Sequence, residues 1–363
     1  MPKPSPHVDS PSQPQPVRPM FLGIEIGGTK LQLGVGQGDS ATLAEIRRLD
    51  VEPSEGAAGI RDCIERVGGE LIKKHRVERV GYGFGGPIDA ARGRIIRSHH
   101  IEGWDDFPLL RWTKETLGVE AVLGNDADMA GVAEARYGAG TGKNPVFYVT
   151  VGTGIGGGLI VDGKPFYGHG PAAAEIGHLR PGLHADRSDQ TVESLASGWG
   201  IAAAAQAHLS GPISHQLGTF RGGSRPLKPE MVRQHLIDTE AALEEHAADL
   251  LRRCDAEPDE LTAKIVGQAA CENNLIARDV LYHACQALGW AIAQVITLVS
   301  PEVVVVGGGV SLIGEEHFFG PLRQAVDRYV FPPLGGTFQL LPASLGEEMV
   351  VFGALALASQ AAS

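Results

Sequence analysis

Two stretches of the chain share one pattern of apolar and glycine residues. Phe21–Gly36 reads FLGIEIGGTKLQLGVG, which is an apolar run, a Gly-Gly-Thr-Lys turn and a second run with alternating apolar residues. Phe147–Lys164 reads FYVTVGTGIGGGLIVDGK, again an apolar run, a glycine cluster and a second run, which ends in Asp-Gly. Apolar runs bounded by turn residues predict strands, so each stretch is predicted to be a hairpin with a glycine-rich tip.

The glycine cluster of the second stretch leaves two interpretations open. It matches the spacing G-x-G-x-x-G, but a dinucleotide fingerprint requires a helix after the glycines, and here a strand is predicted. The cluster is then either a flexible turn or a loop whose backbone N–H groups, with no Cβ in the way, bind an anion such as phosphate. The repeat favours the loop, because two such hairpins in two similar halves would bind a triphosphate from both sides of a cleft.

Helices and strands alternate along the rest of the chain, which is typical of a mixed-sheet α/β protein. The predicted strands are Val77–Phe84, Arg94–Arg97, Val119–Leu123 and Val303–Val306. The predicted helices are Gly56–His75, Pro108–Leu117, a helix that opens at 124–128 and runs to about Tyr137, Glu193–Ala203, Pro229–Asp238, Thr239–Cys254, Pro258–Glu272, Asn274–Leu298 and Gly346–Ala358. The last helix is predicted to return to the first half.

Composition narrows the class of protein. A length of 363 residues suggests about two domains, and 43% hydrophobic and 20% charged residues are ordinary for a soluble globular protein. The formal charge of −12 argues against nucleic-acid binding, and no apolar run approaches the roughly 18 residues of a membrane span. Four scattered cysteines predict free thiols in a reducing cytoplasm. Residues 1–19, rich in Pro, Ser and Gln, are predicted to be a disordered tail.

Two groups of polar residues are candidates for chemistry. In LGNDAD, Leu123–Asp128, an Asn or Asp before a helix is most often a cap. The same position also puts a carboxylate at a strand end, where a helix N-terminus keeps it ionised, as a base that accepts a hydroxyl proton requires. Glu175 and His178 are three residues apart and would share one face of a helical turn, as an ion pair or as a pair that binds a polyol.

Five segments together resemble the motifs of the ROK family (repressors, open reading frames, kinases). GIEIGGTK at Gly23–Lys30 and VTVGTGIGGGLIVDGK resemble its two phosphate motifs, LGNDAD its catalytic segment, AAAEIGH its sugar-binding segment, and PEVVVVGGGVS at Pro301–Ser311 its adenosine motif. The resemblance extends from Phe21 nearly to the C-terminus. It implies a two-domain actin/hexokinase-like fold, a duplicated ribonuclease H-like α/β fold with a cleft between the domains. We expect domains at 20–137, joined by the helix 346–358, and at 138–345, with a helical insertion at about 209–272.

The resemblance also implies an activity, the phosphorylation of a hexose hydroxyl by ATP and Mg²⁺, as in glucokinases. A fructokinase, an N-acetylhexosamine kinase and a catalytically idle sugar sensor are the alternatives. By position, Asp126 would be the catalytic base. The implied sugar-binding residues are Asn125, Glu175, His178, Glu193, Gly86, Pro87 and His100. The implied residues for the nucleotide and its metal are Glu25, Gly27, Gly28, Thr29, Lys30, Gly152, Thr153, Gly154, Gly156, Gly307, Gly308 and Gly309. We expect a cytoplasmic homodimer that binds neither nucleic acid nor membrane.

Three departures from the family pattern stand out. Glu25 replaces an Asp, as in the fructokinase branch, and His100 replaces an Asn of a PNLPGW-like loop. The family's cysteine zinc motif, CxCGxxGCxE, is missing, because the equivalent segment GLHADRSDQTVE, Gly182–Glu193, contains no cysteine. We therefore expect no structural zinc, and the alternative is an oxygen and nitrogen site. Its ligands would be His178, His184, Asp186 and Asp189. A ROK repressor is disfavoured, because only the proline-rich segment precedes the first strand and the net charge is negative.

Overall fold

The computed structural model of the protein describes residues 18–98, 101–169, 172–182, 189–210 and 243–362, and two five-stranded sheets lie at its centre. The strands of the first sheet are β1 Met20–Ile26, β2 Lys30–Gly36, β3 Glu45–Asp50, β4 Val77–Phe84 and β7 Glu120–Asn125. The strands of the second are β8 Val146–Val151, β9 Ile155–Val161, β10 Lys164–Pro165, β11 Val303–Gly307 and β12 Gln339–Pro342. A separate two-stranded sheet pairs β5 Ile88–Asp89 with β6 Arg94–Ile95.

The two large sheets have the same topology. Their strand orders are β3-β2-β1-β4-β7 and β10-β9-β8-β11-β12. In each sheet the first three strands form an antiparallel meander, and the last two run parallel to the first strand of the sheet. The predicted duplication of an α/β unit is therefore confirmed, and so are the two hairpins β1–β2 and β8–β9.

Helices cover both sheets. They are α1 Gly56–Cys63, α2 Gly69–His75, α3 Leu109–Leu117, α4 Asp126–Tyr137, α5 Val192–Ala196, α6 Gly198–Ser210, α7 243–253, α8 Ala263–Cys271, α9 Leu275–Val299, α10 Gly320–Tyr329 and α11 Met349–Gln360. A π-helical segment, Ile64–Gly68, joins α1 to α2, so the predicted helix Gly56–His75 is continuous. The long predicted helix Asn274–Leu298 is α9, and Asn274 is its N-cap because its side chain accepts a hydrogen bond from the backbone of Ala277.

Helices α4 and α11 cross each other between the two sheets. α4 packs on β8 and β9 of the second sheet, and α11 packs on β1 and β4 of the first. The backbones approach so closely that a Cβ on Gly353 of α11 would lie 1.9 Å from the carbonyl oxygen of Met129 in α4. A Cβ on Gly81 of β4 would likewise lie 2.0 Å from the carbonyl oxygen of Ala354. Glycine is required at both positions, and the last helix returns to the first half as predicted.

The turn within the glycine cluster is shorter than predicted. Only Gly152, Thr153 and Gly154 lie between the strands, whereas Gly156–Gly158 belong to β9. A tertiary contact explains why glycine occurs in this strand. A Cβ on Gly158 would lie 3.0 Å from the backbone oxygen of Ala127 in α4. These strand glycines therefore allow a helix to approach the sheet.

Three other elements differ from the prediction. The predicted helix Glu193–Ala203 is two helices, because Ser197 is extended and the backbone N–H of Gly198 donates to Gly152. Pro258 opens a short 3₁₀ turn, and α8 begins after the side-chain cap of Thr262. The strand predicted at Arg94–Arg97 is only two residues long.

Several predictions fall outside the described residues. They concern most of the segment 1–19, the helix Pro229–Asp238, the start of the helix Thr239–Cys254, and His100. None of the described helices combines the length and the apolar character that a membrane span requires.

Candidate active site

The site begins where three parallel strands of the first sheet end side by side. The backbone N–H of Gly85, just after β4, donates to the carbonyl of Ile26 at the end of β1 (3.1 Å). Asn125 ends β7, and its amide Nδ2 donates to the carbonyl of Gly86 (3.1 Å). Its Oδ1 accepts from the backbone N–H of Ala127 (2.9 Å), so Asn125 is the N-cap of α4. One side chain thus fixes the loop after β4 against the start of α4.

Asp126 is the first residue of α4 and a half-buried carboxylate at this strand edge. Its Oδ1 accepts from the backbone N–H of Ala127 (2.9 Å). Burial raises the pKa of Asp126 to about 6, and the backbone N–H donors of the helix start counteract that effect. The two interpretations of LGNDAD therefore both apply, to different residues. Asn125 is the cap, and Asp126 is a carboxylate that is ionised at neutral pH and lies at the cleft.

A small cavity of about 180 Å³ joins elements of both sheets around Asp126. Its lining residues are Glu25, Asp126, Ala127, Ala130, Tyr148, Thr150, Gly308, Gly346, Glu347, Met349 and Val350. Gln32, cross-strand from Glu25, donates from Nε2 to Glu25 Oε2 (2.7 Å). Burial nevertheless raises the pKa of Glu25 to about 7. Two carboxylates with raised pKa values thus share a cavity with a glycine turn of the opposite sheet.

The first glycine turn follows β1 and begins two residues after Glu25, which lines this cavity. The backbone N–H of Gly27 donates to the carbonyl of Lys30 (3.0 Å), which closes the turn. Thr29 and Lys30 are exposed, and Lys30 Nζ lies 3.2 Å from Oε2 of Glu347, in the short turn just before α11. An exposed pair of this kind contributes little to stability, so Lys30 is available for another anion.

The second glycine turn is supported by Glu193. Glu193 Oε2 accepts from the backbone N–H of Ile155 (2.7 Å) at the start of β9. A Cβ on Gly154 would lie 2.6 Å from the same oxygen, so a side chain at this position would displace the Glu193 carboxylate from Ile155. The backbone N–H of Gly198, the first residue of α6, donates to the carbonyl of Gly152 (2.8 Å). The carboxylate and the helix start together hold the turn in place.

A cavity of about 980 Å³, the apolar cavity, extends from the second glycine turn and from the third, Gly307–Gly309. Gly152 and Thr153 line it on one side and Gly309 on another, and most of the remaining surface comes from α6, α8 and the 3₁₀ turn Gly309–Ile313. Trp199 and Leu312 also line it, although 47% and 86% of their respective surfaces are exposed. Large apolar side chains exposed in a concave site are typical of ligand pockets. Neither residue stands out in the sequence, because only the packing reveals that they are exposed.

A second large cavity, of about 1070 Å³, is the polar cavity, and Asn125 is among the residues that line it. It brings together four predicted residues, Gly86, Pro87, Asn125 and Glu175, with Asp128 in addition. Burial raises the pKa of Glu175, and it raises that of Asp128 to about 7. Asp128 was missed, although its place two residues after Asp126 in a predicted helix start would have put both carboxylates in the first turn.

Two predicted sugar-binding residues do not line this cavity. His178 is exposed at the end of the 3₁₀ turn Ile176–His178, and Glu193 uses an oxygen on the second glycine turn. His100 lies outside the described residues. The sugar-binding roles of these three residues stay predictions.

No group of three or more His, Cys, Asp or Glu side chains in the described part of the chain is arranged to hold a metal ion. His184 and Asp186 lie outside that part. We expect purified protein to contain no stoichiometric zinc and chelators to leave its melting temperature unchanged, because a closed zinc site needs ligands such as thiolates that this segment lacks. Elemental analysis that found about one zinc per chain would contradict this prediction and identify His184, Asp186 and Asp189 as candidate ligands.

The chain is similar to known proteins over most of its length. The family model described as the ROK family matches residues 21–361. The chain is 27% identical over 340 residues to the glucokinase of Thermotoga maritima, across 93% of this chain and 96% of that protein. It is 32% identical over 205 residues to the N-acetylmannosamine kinase of Escherichia coli, across 55% of this chain and 69% of that protein. A ROK family glucokinase from Streptomyces griseus, solved in complex with glucose and AMPPNP, is similar with a TM-score of 0.72 and 29% identity, across 94% of this chain and 99% of that chain.

Proposed function

The chain belongs to the ROK family, and on that premise we propose that it is a glucokinase-like sugar kinase, which transfers the γ-phosphate of ATP to a hydroxyl group of a hexose. The similarity to glucokinases over almost the whole of both chains supports this activity. The sugar is a hexose or a close analogue. N-acetylmannosamine is a second candidate substrate, because of the 32% identity to an N-acetylmannosamine kinase.

One observation carries the proposal: Asp126 lies between the two large cavities. It lines the small cavity together with Gly308 of the third glycine turn, and Gly309 beside it lines the apolar cavity. Asn125, directly before Asp126, lines the polar cavity. A nucleotide in the apolar cavity would therefore direct its phosphates toward Asp126, and a sugar in the polar cavity would present a hydroxyl from the other side.

In this arrangement Asp126 is the general base. Its carboxylate accepts the proton of the attacking hydroxyl, and its pKa near 6 keeps it ionised at neutral pH while its basicity is higher than that of an exposed Asp. Asn125 and Glu175 hold the sugar, with Asn125 also fixing the loop that contains Gly86 and Pro87. The reaction then depends on position and charge rather than on a covalent intermediate.

Backbone N–H groups supply most of the phosphate binding. Gly308 lines the small cavity, and Gly152 and Gly309 line the apolar one, so these two turns offer bare backbone where anions are well bound. The turn at Gly27–Gly28 follows Glu25, which lines the small cavity. Lys30 can leave Glu347 for a phosphate oxygen. Trp199 and Leu312 provide an apolar surface for the base of the nucleotide.

The small cavity also suits a magnesium ion that arrives with the nucleotide. Mg²⁺ keeps several waters and binds through one or two carboxylates plus substrate phosphates, so it needs no cage of three protein ligands. Glu25, oriented by Gln32 and close to Thr150 in the same cavity, is the residue that would hold it. When bound, the ion neutralises charge on the phosphates during transfer.

A panel of sugars tests the proposal. ADP release should be measured by a coupled assay with glucose, fructose, mannose, N-acetylmannosamine and N-acetylglucosamine, at saturating Mg-ATP. We expect sugar-dependent ADP release with at least one hexose. If no sugar stimulated ADP release above the ATPase background, the proposed activity would be wrong.

Replacing Glu193 with alanine distinguishes its two possible roles. We expect the KM for ATP to rise by about tenfold, because the hydrogen bond of a charged group to the second glycine turn is worth roughly 1.5–3 kcal/mol. The KM for the sugar should change less. The measurement is the KM of both substrates, with Glu78→Ala at an exposed position of β4 as the matched control. A rise confined to the KM of the sugar would support the role implied by the family resemblance instead.

We further propose that residues 20–137 with the helix 346–358, and residues 138–345 with an insertion at about 209–272, act as two domains on either side of the cleft. A homodimer in the cytoplasm remains the expected state, and size-exclusion chromatography with light scattering would test the subunit number. Four cysteines without a disulfide among the described residues agree with a reducing compartment.

A further inference from the structure

Asp128 and Asp126 line different cavities. Asp128 is the third residue of α4, and its side chain lines the large cavity together with Asn125 and Glu175. Asp126 lines the small cavity instead. Two carboxylates in the first turn of α4 thus line two different cavities, and only Asp126 is needed as the base.

Four other charged residues that line the polar cavity form two ion pairs, and Glu175 belongs to neither. Arg92 Nη1 lies 3.0 Å from Asp89 Oδ2, and Arg94 Nε lies 2.6 Å from Asp106 Oδ1. Asp128 has no such partner among the described residues. Instead, burial and the negative charges of Asp126 and Glu175 act on it and raise its pKa to about 7.

A half-buried carboxylate close to other carboxylates is costly unless it takes up a proton or a ligand supplies a positive charge or donor. With a pKa of about 7, Asp128 is about half ionised at neutral pH, and a bound cation would favour its ionised form. Glu175, in the same cavity, is influenced by His178, which lowers its pKa, and by Glu193, which raises it. Since Asp128 and Glu175 lie outside the two ion pairs, the carboxylates that line the cavity outnumber its arginines. A neutral hydroxyl would satisfy the hydrogen-bonding capacity of Asp128 but would leave this charge in place.

We propose that Asp128 is a specificity-determining residue of the sugar site and that it favours a hexose with a protonated amino group over the N-acetylated form of the same sugar. The inference rests on the proposed kinase function. An ammonium group donates hydrogen bonds and also neutralises the excess charge, whereas an N-acetyl group is neutral and bulkier. Hydrogen bonds between charged groups are stronger than those between a charged and a neutral group or between two neutral groups.

The test compares three sugars on two proteins. The kcat/KM for glucosamine, glucose and N-acetylglucosamine should be measured at pH 7.0 with the wild type and with Asp128→Asn, which keeps shape and removes the charge. We expect the wild type to use glucosamine better than N-acetylglucosamine. The substitution should lower kcat/KM for glucosamine by about tenfold, the difference between a charge-assisted and a neutral hydrogen bond, and that for glucose by about twofold or less.

Two controls separate charge from folding. Asp62→Asn removes a charge from an exposed position of α1 outside this cavity and should leave the sugar profile unchanged. Salt provides a second measurement on the wild type, because ionic strength should raise the KM for glucosamine more than that for glucose. This measurement remains available if Asp128→Asn does not fold.

Three outcomes would overturn the inference. They are a wild type that uses N-acetylglucosamine better than glucosamine, an equal loss for glucose and glucosamine in Asp128→Asn, and equal salt dependence for both sugars. Failure of the kinase function is distinguishable, because in that case glucose, glucosamine and N-acetylglucosamine would all leave ADP release at the background rate.

Discussion

Asp126→Asn is expected to lower kcat by about two or more orders of magnitude and to leave the KM or Kd for the sugar close to that of the wild type. Asparagine keeps the size of the side chain and can still accept from the backbone N–H of Ala127, so the start of α4 should be preserved. It cannot accept the hydroxyl proton, and the loss of a positioned base typically costs about 10²–10⁴-fold in rate.

The pH dependence of the wild type provides an independent check on the same residue. The base acts in its ionised form, and the pKa of Asp126 is raised to about 6 by burial. The rate should therefore fall as the pH is lowered through about 6, rather than through the lower range of an exposed Asp.

The measurements are kcat and KM from the coupled assay, sugar affinity by calorimetry, and a melting curve to verify folding. Asp126→Asn with nearly full turnover would show that another group accepts the proton. A variant that lost sugar affinity as well would indicate that Asp126 holds the sugar in the ground state.

The sequence predicts the repeated unit well because its signals are local. Phe21–Gly36 and Phe147–Lys164 each contain a run of apolar residues, a glycine turn and a second run, and each forms an antiparallel hairpin in a sheet of the same strand order. The position of Asp126 is equally local, since a strand end followed by a helix start places it at the sheet edge. Such features depend on neighbours along the chain, which a sequence displays directly.

The parts that were not predicted depend on contacts between distant segments. Gly158 is predicted in the turn of the glycine cluster but lies in β9. A Cβ at this position would lie 3.0 Å from the backbone oxygen of Ala127, so glycine lets α4 approach the strand. The helix expected through Ser197 is broken where Gly198 donates to Gly152, a residue about forty-five positions away. Neither contact leaves a periodic trace in the sequence.

The spacing of Glu175 and His178 predicts their proximity better than their conformation. His178 is close enough to lower the pKa of Glu175, but Glu175 precedes the 3₁₀ turn as its cap, with φ −70° and ψ 64°, and only His178 lies within it. Glu175 consequently lines the polar cavity and His178 does not, although both side chains are exposed. The i, i+3 rule applies only when both residues belong to one regular helix.

The crossing of α4 and α11 is expected to be the part of the fold that is most sensitive to one added methyl group. In Gly353→Ala the new Cβ would lie 1.9 Å from the carbonyl oxygen of Met129, a backbone atom that cannot rotate away. The two helices must then separate, and overpacking of this kind costs about 1–3 kcal/mol or more. The gain in helix propensity from Gly to Ala, up to about 1 kcal/mol, does not offset this cost.

We therefore expect the melting temperature of Gly353→Ala to fall by several degrees, since 1 kcal/mol shifts the melting of a domain of 150–250 residues by roughly 2–4 °C. Activity should fall as well, because Met129 is in the same helix as Asp126 and a displaced α4 moves the base. The matched control is Gly69→Ala at the start of α2, where the nearest atom to the new Cβ is Leu117 Cδ2 at 3.9 Å, an ordinary contact. That variant should melt at the wild-type temperature or slightly above it. If both variants melted alike, α4 and α11 would be able to separate without cost, and the glycine at this crossing would not be required for packing.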